Sequence, residues 1–418
     1  MLEAYIIDAV RTPRSIGKVG KGALSHLHPQ YLAATVLSAL VQRNGIDTAD
    51  VDDIIWGTNA QIGKQGGDLA RMAALDAGFD IRASGVTLDR FCGSGLTAAA
   101  LATAQIKSGA EDLLISGGTE MMSHVNQTVQ EQMAAGLKMP SGMGSDNARL
   151  QARHPQSHQG VCADAIAAME GISRQELDAL ALESQLRAAV AISEGRFFRS
   201  TVPVVDDAGT VILAHEEFPR PHTTAAGLAA LKPSFAQIAD IVLDEDGTTY
   251  RGLINRRYPD LTIEAVHHAG NSAGVVDGAA AILFASEAYI NAHGLKPRAR
   301  VVATANIGDD PTLMLNAPVP AAKKVLRKAG LTIEDIDLWE VNEAFAVVVE
   351  KFIRDLGIDR KKINVNGGAI ALGHPIGATG AILIGTLLDE LERRDLKRGL
   401  ITMCAAGGMA PAMVIERV

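Results

Sequence analysis

The sequence predicts a layered α/β fold in which two similar halves pack together and the first half carries an inserted segment. Apolar, strand-like segments alternate with alanine-rich helical patterns, which is typical of a sheet covered by helices on both faces. One pattern recurs at a spacing of 283 residues, as expected of a duplicated unit. Between the two copies, residues 120–262 differ in composition and hold many Met, Gln, His and Pro residues.

The elements of the first half can be followed in chain order. A strand is predicted at AYIIDAV, a helix at YLAATVLSALVQRNG, and a second strand at VDDIIWG. A glycine-rich turn then opens the helix of LDRFCGSGLTAAALATAQIKSGA, and DLLISGG forms the next strand. Apolar β-rich runs distinguish the strands from the periodic, alanine-rich helices.

The second half repeats this order of elements. The segment DLWEVN matches DIIWGTN, so 283 positions separate Trp56 from Trp339 and the same number separates Asn59 from Asn342. GLITMCAAGG likewise resembles DLLISGG, since both are apolar strands that run into small residues. Duplication explains the shared spacing and the shared order of elements.

These patterns divide the chain into two parts. We predict an N-terminal half at residues 1–285 and a C-terminal half at residues 286–418. The N-terminal half would contain the inserted segment, a loop domain at about 120–262, which includes the helical stretch SRQELDALALESQLRAAVAISEG. Segments added to a rigid scaffold commonly help to form a ligand site.

Composition and charge exclude several classes of protein. The 418 residues are 47% hydrophobic and 21% charged, enough for a sizeable core, and the net charge of -9 gives no basic surface for nucleic acid. We expect no signal peptide in MLEAYIIDAVRTPRS and no membrane span, hence a soluble, cytoplasmic protein. Three cysteines, without CxxC or HExxH spacing, predict neither a disulfide framework nor a metal site.

Cys92 is the first candidate nucleophile. It lies in RFCGSGLTAAALA, between the end of an apolar run and the start of a helix of small residues. Free N–H groups at a helix N-terminus favour a thiolate, so we expect the pKa of the Cys92 thiol to lie below its usual value of about 8.5. A small buried core residue is the alternative interpretation of this segment alone.

His374 occupies the corresponding place in the second half. It lies in NVNGGAIALGHPIGATGA, another glycine-rich strand-to-helix junction, 282 positions after Cys92 and thus within one residue of the repeat spacing. Pseudo-symmetry would bring the two side chains to one shared site, where a histidine can activate a thiol. A structural histidine is the alternative.

Three further residues have a chemical and a structural interpretation. Cys404, in LITMCAAGGMAPAMVIE, precedes small residues that let a ligand approach the backbone, and a core cysteine is the alternative for this segment alone. Asn342 ends the strand DLWEV, where an ordinary turn or cap asparagine is the alternative. Cys162 lies on an apolar helical face, and we interpret it as a core residue.

Taken together, RFCGSGL, VNEAFA, NGGAIALGHPIGATGA and CAAGGMAPAMVIE resemble the thiolase family, in that order and across essentially the whole chain. AVRTP, GGTEMMS, LAALKPSF and AGNSAGVVDGAAA agree with the resemblance. It implies a thiolase-like layered fold and an acyltransferase that moves an acyl group between a cysteine and coenzyme A. Coenzyme A would be a co-substrate, and no cofactor would be bound permanently.

The resemblance also implies a role for each motif residue. Cys92 matches the nucleophile, His374 the base that accepts its proton, and Cys404 the acid that protonates an acetyl-CoA enolate. One oxyanion site would use His374 and a water held by Asn342. The other would use the backbone N–H groups of Cys92 and Ala406.

By the same resemblance, coenzyme A is expected to contact Arg220, His158, Ser272 and Phe345, beside the inserted segment. An arginine suits the nucleotide end because its guanidinium both stacks on rings and pairs with phosphate.

The chain departs from many thiolases close to these positions. Ala406 lies in a terminal motif that is often C-x-G-G-G-x-G, and the serine of the AGNxSG motif falls on Ala273, one residue after Ser272. Gln159 and Cys162 stand where many relatives have Met and Thr. We interpret these differences as marks of a subgroup, because all four reacting positions remain.

More than one function is compatible with the sequence. Thiolytic cleavage of 3-ketoacyl-CoA in β-oxidation is favoured by the apolar, Met-containing inserted segment, but a biosynthetic acetoacetyl-CoA thiolase shares every catalytic residue. A non-catalytic acyl-CoA-binding protein is a remote alternative. Decarboxylating ketoacyl synthases usually have histidine in the role of the second cysteine, so Cys404 argues against them. A homodimer or homotetramer is expected by resemblance only.

Overall fold

The computed structural model describes residues 2–137 and 147–418. These residues form twelve strands: β1 (Ala4–Arg11), β2 (Ser15–Ile16), β3 (Asp53–Gly57), β4 (Val86–Leu88), β5 (Leu113–Met121), β6 (Val204–Val205), β7 (Val211–Leu213), β8 (Val276–Ser286), β9 (Ala299–Gly308), β10 (Leu338–Val341), β11 (Arg398–Thr402) and β12 (Met409–Arg417).

The same residues form fifteen α-helices: α1 (Pro29–Asn44), α2 (Leu69–Asp76), α3 (Ser94–Ser108), α4 (Met122–Ala134), α5 (Ala148–Arg153), α6 (Gln159–Glu170), α7 (Arg174–Ser193), α8 (Ala225–Ala229), α9 (Ala236–Ala239), α10 (Tyr250–Asn255), α11 (Glu287–His293), α12 (Pro318–Ala329), α13 (Ala346–Leu356), α14 (Ala369–Leu372) and α15 (Ile376–Arg393).

Apart from β4, the strands of the main sheet follow the same order outwards from its centre in both halves. It runs β4-β3-β5-β8-β1 through the first half and continues β9-β12-β11-β10 through the second, while β2 pairs with β8. In the first half β3 is parallel to β5, and β8 is antiparallel to both β5 and β1. In the second half β10 is parallel to β11, and β12 is antiparallel to both β11 and β9. The prediction of two similar α/β halves is confirmed.

The strand register reproduces the spacing seen in the sequence. Trp56 pairs with Gly117 in the first half, and Trp339 pairs with Leu400 in the second, so the partners are separated by the same 283 positions. Both indoles are buried. The Trp56 Nε1–H donates to the Thr119 hydroxyl at 3.1 Å, which supplies the partner that a buried indole needs.

Helices cover the outer faces of the sheet and fill the space between its halves. Helices α1 and α2 pack on the first half, whereas α12 and α13 pack on the second together with α6 and α7. Helices α3 and α15 pack against each other and contact strands of both halves. Residues at the N-termini of α3 and α15 therefore reach the same region between the halves.

Glycines allow strand β5 and these two central helices to approach one another closely. A Cβ atom added to Gly118 would lie 1.9 Å from the carbonyl oxygen of Gly377, and one on Gly95 would lie 2.6 Å from that oxygen. A Cβ atom on Gly380 would lie 2.0 Å from the backbone nitrogen of Leu96. These separations are far below van der Waals contact, so larger residues would force the helices apart.

The segment between β5 and β8 holds α4 to α10 and the two-stranded hairpin of β6 and β7. Strand β5 runs to Met121, so the predicted start of the inserted segment at residue 120 lies inside a strand. The predicted helix SRQELDALALESQLRAAVAISEG corresponds to α7, which Ser173 opens with a capping box. The boundary predicted between residues 285 and 286 lies at the end of β8. Residues 138–146 lie outside the described residues.

Candidate active site

Cys92 lies in a tight turn between β4 and α3. The Ser94 hydroxyl accepts a hydrogen bond from the Arg90 N–H at 2.8 Å and donates to the Phe91 carbonyl oxygen at 2.6 Å. Phe91 has a φ of 50°, in the left-handed region that costs a residue with a side chain about 1–2 kcal/mol. This turn leaves the Cys92 side chain partly exposed.

The cysteine opens into a cavity of about 250 Å³. Apolar parts of the wall come from Phe91, Met314, Ile376 and Ala406, and aromatic rings with polar atoms come from His158 and Tyr250. The inserted segment supplies the last two residues, and the second half supplies Met314, Ile376 and Ala406. The cavity is therefore built where three parts of the chain meet, and its wall suits a hydrocarbon group.

The Cys92 thiol does not have the low pKa expected from the sequence. Burial raises its pKa to about 12, and the negative charge of Glu120 adds to the effect. Helix α3 begins at Ser94, two residues later, and the effect of a helix N-terminus falls off within one turn. The thiol is therefore protonated at neutral pH, and a base must remove its proton before it can attack.

His374 supplies an unprotonated ring nitrogen. Its Nδ1 lies 2.6 Å from the Thr379 hydroxyl, which donates to the Pro375 carbonyl oxygen at 3.2 Å. Because that hydroxyl donates elsewhere, it accepts from an Nδ1–H, and Nε2 keeps its lone pair. Burial lowers the pKa of His374 to about 4, so the imidazole is neutral at pH 7 and able to accept a proton.

Asn342 completes this side of the site. It follows β10 and is buried, and its amide Nδ2 lies 3.4 Å from Nε2 of His374. Within the described part of the chain, its buried Oδ1 has no hydrogen-bond partner. A buried carbonyl oxygen normally has one, so this atom is available to a polar group of a ligand.

Cys404 follows β11 and lies beside Cys92. Burial, and then the neighbouring Cys92, raise the pKa of the Cys404 thiol far above its ordinary value. This thiol is protonated, as a proton donor must be. Cys162 is different, because it is buried in α6 and its Sγ lies 3.2 Å from the Thr312 carbonyl oxygen, which agrees with its interpretation as a core residue.

A tight turn after Cys404 brings the backbone of the second half to the cavity. Gly407 and Gly408 have φ values of 76° and 75°, a conformation that favours glycine. The turn reverses the chain into β12 and places Ala406 on the wall that also contains Cys92. The two residues predicted to supply oxyanion N–H groups thus line one cavity.

Two of the residues predicted to contact coenzyme A line cavities. His158 lies in the Cys92 cavity, and its ring stands 5.7 Å from that of Tyr250. Arg220 is exposed and lines another cavity of about 660 Å³, with its guanidinium 5.4 Å from the Phe218 ring centroid. A flat cation beside an open cavity is suited to a phosphate or an aromatic ring.

The other two predicted contacts are buried. Ser272 and Phe345 form an isolated antiparallel bridge with each other, and Phe345 packs edge-on against Phe235 with ring centroids 5.8 Å apart. Ala273, the residue after Ser272, lines the Arg220 cavity instead. The roles of Ser272 and Phe345 in binding coenzyme A stay predictions.

The sequence reasoning missed three residues that hold the site together, namely Phe91, Glu120 and Thr379. Thr379 could have been found because it lies one helical turn after Pro375, the residue next to His374. Glu120 carries a charge inside the apolar strand LLISGGTEM, and buried carboxylates are rare unless they have partners. The φ of Phe91 has no comparable signal in the sequence.

Comparison with known proteins shows the same family. Residues 4–242 match the description "Thiolase, N-terminal domain", and residues 295–417 match "Thiolase, C-terminal domain". The chain belongs to the thiolase family. This thiolase is 39% identical to an acetyl-CoA acetyltransferase of Escherichia coli over 100% of both chains. It is 40% identical to a beta-ketoadipyl-CoA thiolase of Pseudomonas aeruginosa, over 100% of this chain and 99% of the relative.

A solved thiolase structure supports the fold independently. The acetyl-CoA acetyltransferase of Bacillus anthracis matches with a TM-score of 0.82 and 32% identity, covering 100% of this chain and 99% of that one. The predicted family, the thiolase-like fold and the identification as an acyltransferase are confirmed. Within residues 2–137 and 147–418 of this thiolase, no cluster of three or more His, Cys, Asp or Glu residues is arranged to hold a metal ion. No helix in those ranges has the length and apolarity of a membrane span.

Proposed function

We propose that this thiolase cleaves 3-ketoacyl-CoA with coenzyme A and releases acetyl-CoA and an acyl-CoA that is two carbons shorter. One observation carries the proposal. A partly exposed thiol, Cys92, faces a largely apolar cavity and has a second thiol, Cys404, beside it. The neutral imidazole of His374 precedes α15, the helix that packs against the helix following Cys92. This set provides a nucleophile, a base and an acid.

In the first half-reaction, the Cys92 sulfur attacks the 3-keto carbon and Nε2 of His374 takes the thiol proton. The bond between carbons 2 and 3 of the substrate then breaks, which leaves the acyl group on Cys92 and an acetyl-CoA enolate. The protonated thiol of Cys404 donates its proton to carbon 2 of that enolate. Such general acid–base transfers contribute about 10²- to 10⁴-fold each.

Before the second half-reaction, His374 passes its proton to the Cys404 thiolate, so both groups return to their starting states. Coenzyme A then enters and His374 accepts the proton of its thiol. The coenzyme A sulfur attacks the acyl-cysteine, the shortened acyl-CoA leaves, and the released Cys92 thiolate takes the proton from His374. Both half-reactions build negative charge on oxygen, so oriented donors are needed. The backbone N–H groups of Cys92 and Ala406 serve one oxyanion, while His374 and a water held by Asn342 serve the other.

The cavity favours a substrate longer than acetoacetyl-CoA. A water-sized group occupies about 30 Å³ of a liquid, so about 250 Å³ corresponds to roughly eight such groups, which is more than one acetyl unit fills. This supports a degradative role in β-oxidation. The names of the Escherichia coli and Bacillus anthracis relatives favour a second candidate, an acetoacetyl-CoA thiolase that condenses two acetyl-CoA molecules. The cytoplasmic location and the homodimer or homotetramer remain part of the proposal.

A chain-length series tests the function. The purified protein is incubated with coenzyme A and 3-ketoacyl-CoA thioesters of four to sixteen carbons, together with a 3-ketoacyl-CoA that ends in a carboxylate, and products are quantified. We expect the highest kcat/KM at six carbons or more. Cys92→Ala should lose at least about 10³-fold, and the matched control Cys162→Ala should stay within about twofold because Cys162 packs in the core.

Three outcomes contradict the degradative assignment. Turnover confined to acetoacetyl-CoA makes the acetoacetyl-CoA thiolase the better assignment. Turnover confined to the carboxylate-bearing thioester points to a substrate like that named for the Pseudomonas aeruginosa relative. No turnover with any thioester refutes the proposed function.

A further inference from the structure

Glu120 is a buried carboxylate to which the reaction steps above assign no role. It is the penultimate residue of β5, and its side chain is fully buried. Burying a charge is costly unless hydrogen bonds compensate for the lost solvent. A fully buried carboxylate between the two halves of a catalytic site therefore needs an explanation in terms of its partners.

The Glu120 carboxylate joins two separate segments through four hydrogen bonds. Its Oε2 accepts from the backbone N–H groups of Asn59 and Gly377, both at 2.9 Å. Its Oε1 accepts from the Ala60 N–H at 3.1 Å and from the Gln65 side-chain amide at 2.8 Å. All four donors are neutral, and each oxygen accepts two bonds. One carboxylate therefore fixes the loop after β3 and the start of α15 together.

The contact to Gly377 is the link to the catalytic base. Gly377 is the second residue of α15, and the N-cap residue of that helix, Pro375, makes no side-chain cap hydrogen bond. A carboxylate at this end satisfies an otherwise unpaired N–H and interacts favourably with the helix dipole. His374 stands two residues before α15, and its Nδ1 is held by Thr379 in the first turn of that helix. Displacing the start of α15 therefore displaces the imidazole.

The contact to Asn59 is the link to the nucleophile. Asn59 and Cys92 line the same cavity, and Asn59 occupies in the first half the place that Asn342 occupies in the second. The charge of Glu120 also acts on the Cys92 thiol and, after burial, is the next cause of its high pKa. Glu120 thus reaches both reacting groups without touching the substrate.

We propose that Glu120 is a positioning residue of the thiolase reaction, which holds the start of α15 against the loop after β3 and so fixes the imidazole of His374 relative to the Cys92 sulfur. This inference rests on the proposed function, because it assumes that His374 takes the Cys92 proton. A displacement of about 1 Å in such a pair can lower a rate about 10²-fold.

The test compares Glu120→Gln with Glu390→Gln. A glutamine has one acceptor oxygen, so either the Asn59 and Gly377 pair or the Ala60 and Gln65 pair loses its acceptor in the Glu120 variant. Glu390 is a matched control because it is also a buried glutamate that contacts α15. It lies within that helix, near the end opposite to the Glu120 contact, and it accepts hydrogen bonds from Arg393 and Arg394.

Both variants are assayed for thiolysis at a temperature at which circular dichroism shows them to be folded. For Glu120→Gln we expect kcat to fall about 10- to 100-fold while KM stays within about threefold, because the substrate contacts are unchanged. Glu390→Gln should lower Tm yet keep kcat within about twofold. A folded Glu120→Gln enzyme with the kcat of the wild type overturns the proposal.

A second readout needs no substrate turnover, so it separates failure of this inference from failure of the proposed function. The rate at which iodoacetamide alkylates Cys92 is followed against pH, in a Cys162→Ala background. The charges that act on this thiol are those of Glu120 and Asp89, with Cys404 beside it. Because Glu120→Gln removes one of these charges and also releases the start of α15 from the loop after β3, the alkylation profile of Cys92 should differ from that of the wild type, whereas Glu390→Gln should leave it unchanged. A Glu120→Gln profile that superimposes on that of the wild type contradicts the inference.

If Glu120→Gln does not fold, Glu120→Asp takes its place. The aspartate keeps the charge but withdraws the carboxylate by one methylene, so its bonds to the two segments must lengthen or break. We expect kcat to fall at least about fivefold. A folded Glu120→Asp enzyme with the kcat of the wild type overturns the proposal.

Discussion

Replacing Thr379 with valine tests whether the histidine works as a neutral base held by one hydrogen bond. Thr379 is buried, and its hydroxyl lies 2.6 Å from Nδ1 of His374. Valine has nearly the same shape but cannot accept the Nδ1–H. The imidazole then keeps a buried, unpaired donor or turns to satisfy it, and in either case this bond no longer fixes the position of Nε2.

The size of the effect follows from the cost of that lost bond. An unsatisfied buried donor costs about 1–3 kcal/mol, and each 1.4 kcal/mol corresponds to about tenfold in rate. If the cost appears as misplacement of the base, kcat for thiolysis falls roughly 5- to 140-fold. The Tm falls as well, because the same donor is unpaired in the folded protein.

The assay measures kcat and KM for the preferred 3-ketoacyl-CoA, with Thr379→Ser as the matched control. Serine keeps the hydroxyl and loses only a methyl group, so its kcat should stay within about threefold. Equal kcat values for the wild type, the valine variant and the serine variant would refute the argument that the hydroxyl orients His374. A valine variant with a raised KM and an unchanged kcat would also refute it.

Three further outcomes follow from the geometry. The pKa of His374 is lowered to about 4, so the unfolded chain binds a proton between pH 6.5 and 4 that the native protein does not. The free energy of unfolding of the wild type therefore falls by up to about 3 kcal/mol as the pH falls through that window. In urea unfolding, the free energy of His374→Gln should depend less on pH than that of the wild type. Cys404→Ala should lower thiolysis at least about 10²-fold while preserving exchange of labelled coenzyme A with acyl-CoA, which needs no acid for an enolate. Gly118→Ala forces a Cβ atom to within 1.9 Å of the Gly377 oxygen and should cost about 1–3 kcal/mol in urea unfolding, whereas Gly308→Ala meets nothing within 4 Å.

Each of these outcomes has a result that contradicts it. Parallel stability curves for the wild type and His374→Gln would show that the histidine does not resist protonation in the native state. Equal losses of thiolysis and exchange in Cys404→Ala would remove its assignment as the acid. Similar unfolding free energies for Gly118→Ala and Gly308→Ala would mean that the backbone contact between β5 and α15 relaxes at little cost.

The sequence predicted the features that leave a repeated or local pattern. The matched tryptophans Trp56 and Trp339 located equivalent strands, and the spacing between Cys92 and His374 placed both residues at helix N-termini in the central layer. A duplicated fold fixes such pairs because equivalent positions in the two halves face each other. The structure confirms the arrangement of the strands that leads to this site.

The features that the sequence could not predict depend on contacts between distant segments. The pKa of the Cys92 thiol was expected to be low, but desolvation raises it and the negative charge of Glu120, from a different segment of the chain, adds to the effect. The bond from Gly377 to Glu120 joins residues 257 positions apart. Ala273 lines the Arg220 cavity and its neighbour Ser272 does not, a difference of one residue that the sequence could not predict.

The central helix α15 has a consequence for how the chain folds. Fourteen of its eighteen residues are buried, and it contacts β1, β5 and β8 of the first half as well as β10 and β11 of the second. A helix near the end of the chain thus covers apolar surface formed by the beginning, and such non-local contacts slow folding. During synthesis the first half exposes this surface until residue 393 has been added, which is the condition under which nascent chains need a chaperone or aggregate. Thiolase production should therefore depend on residues 376–393 even in variants whose catalytic cysteine is intact.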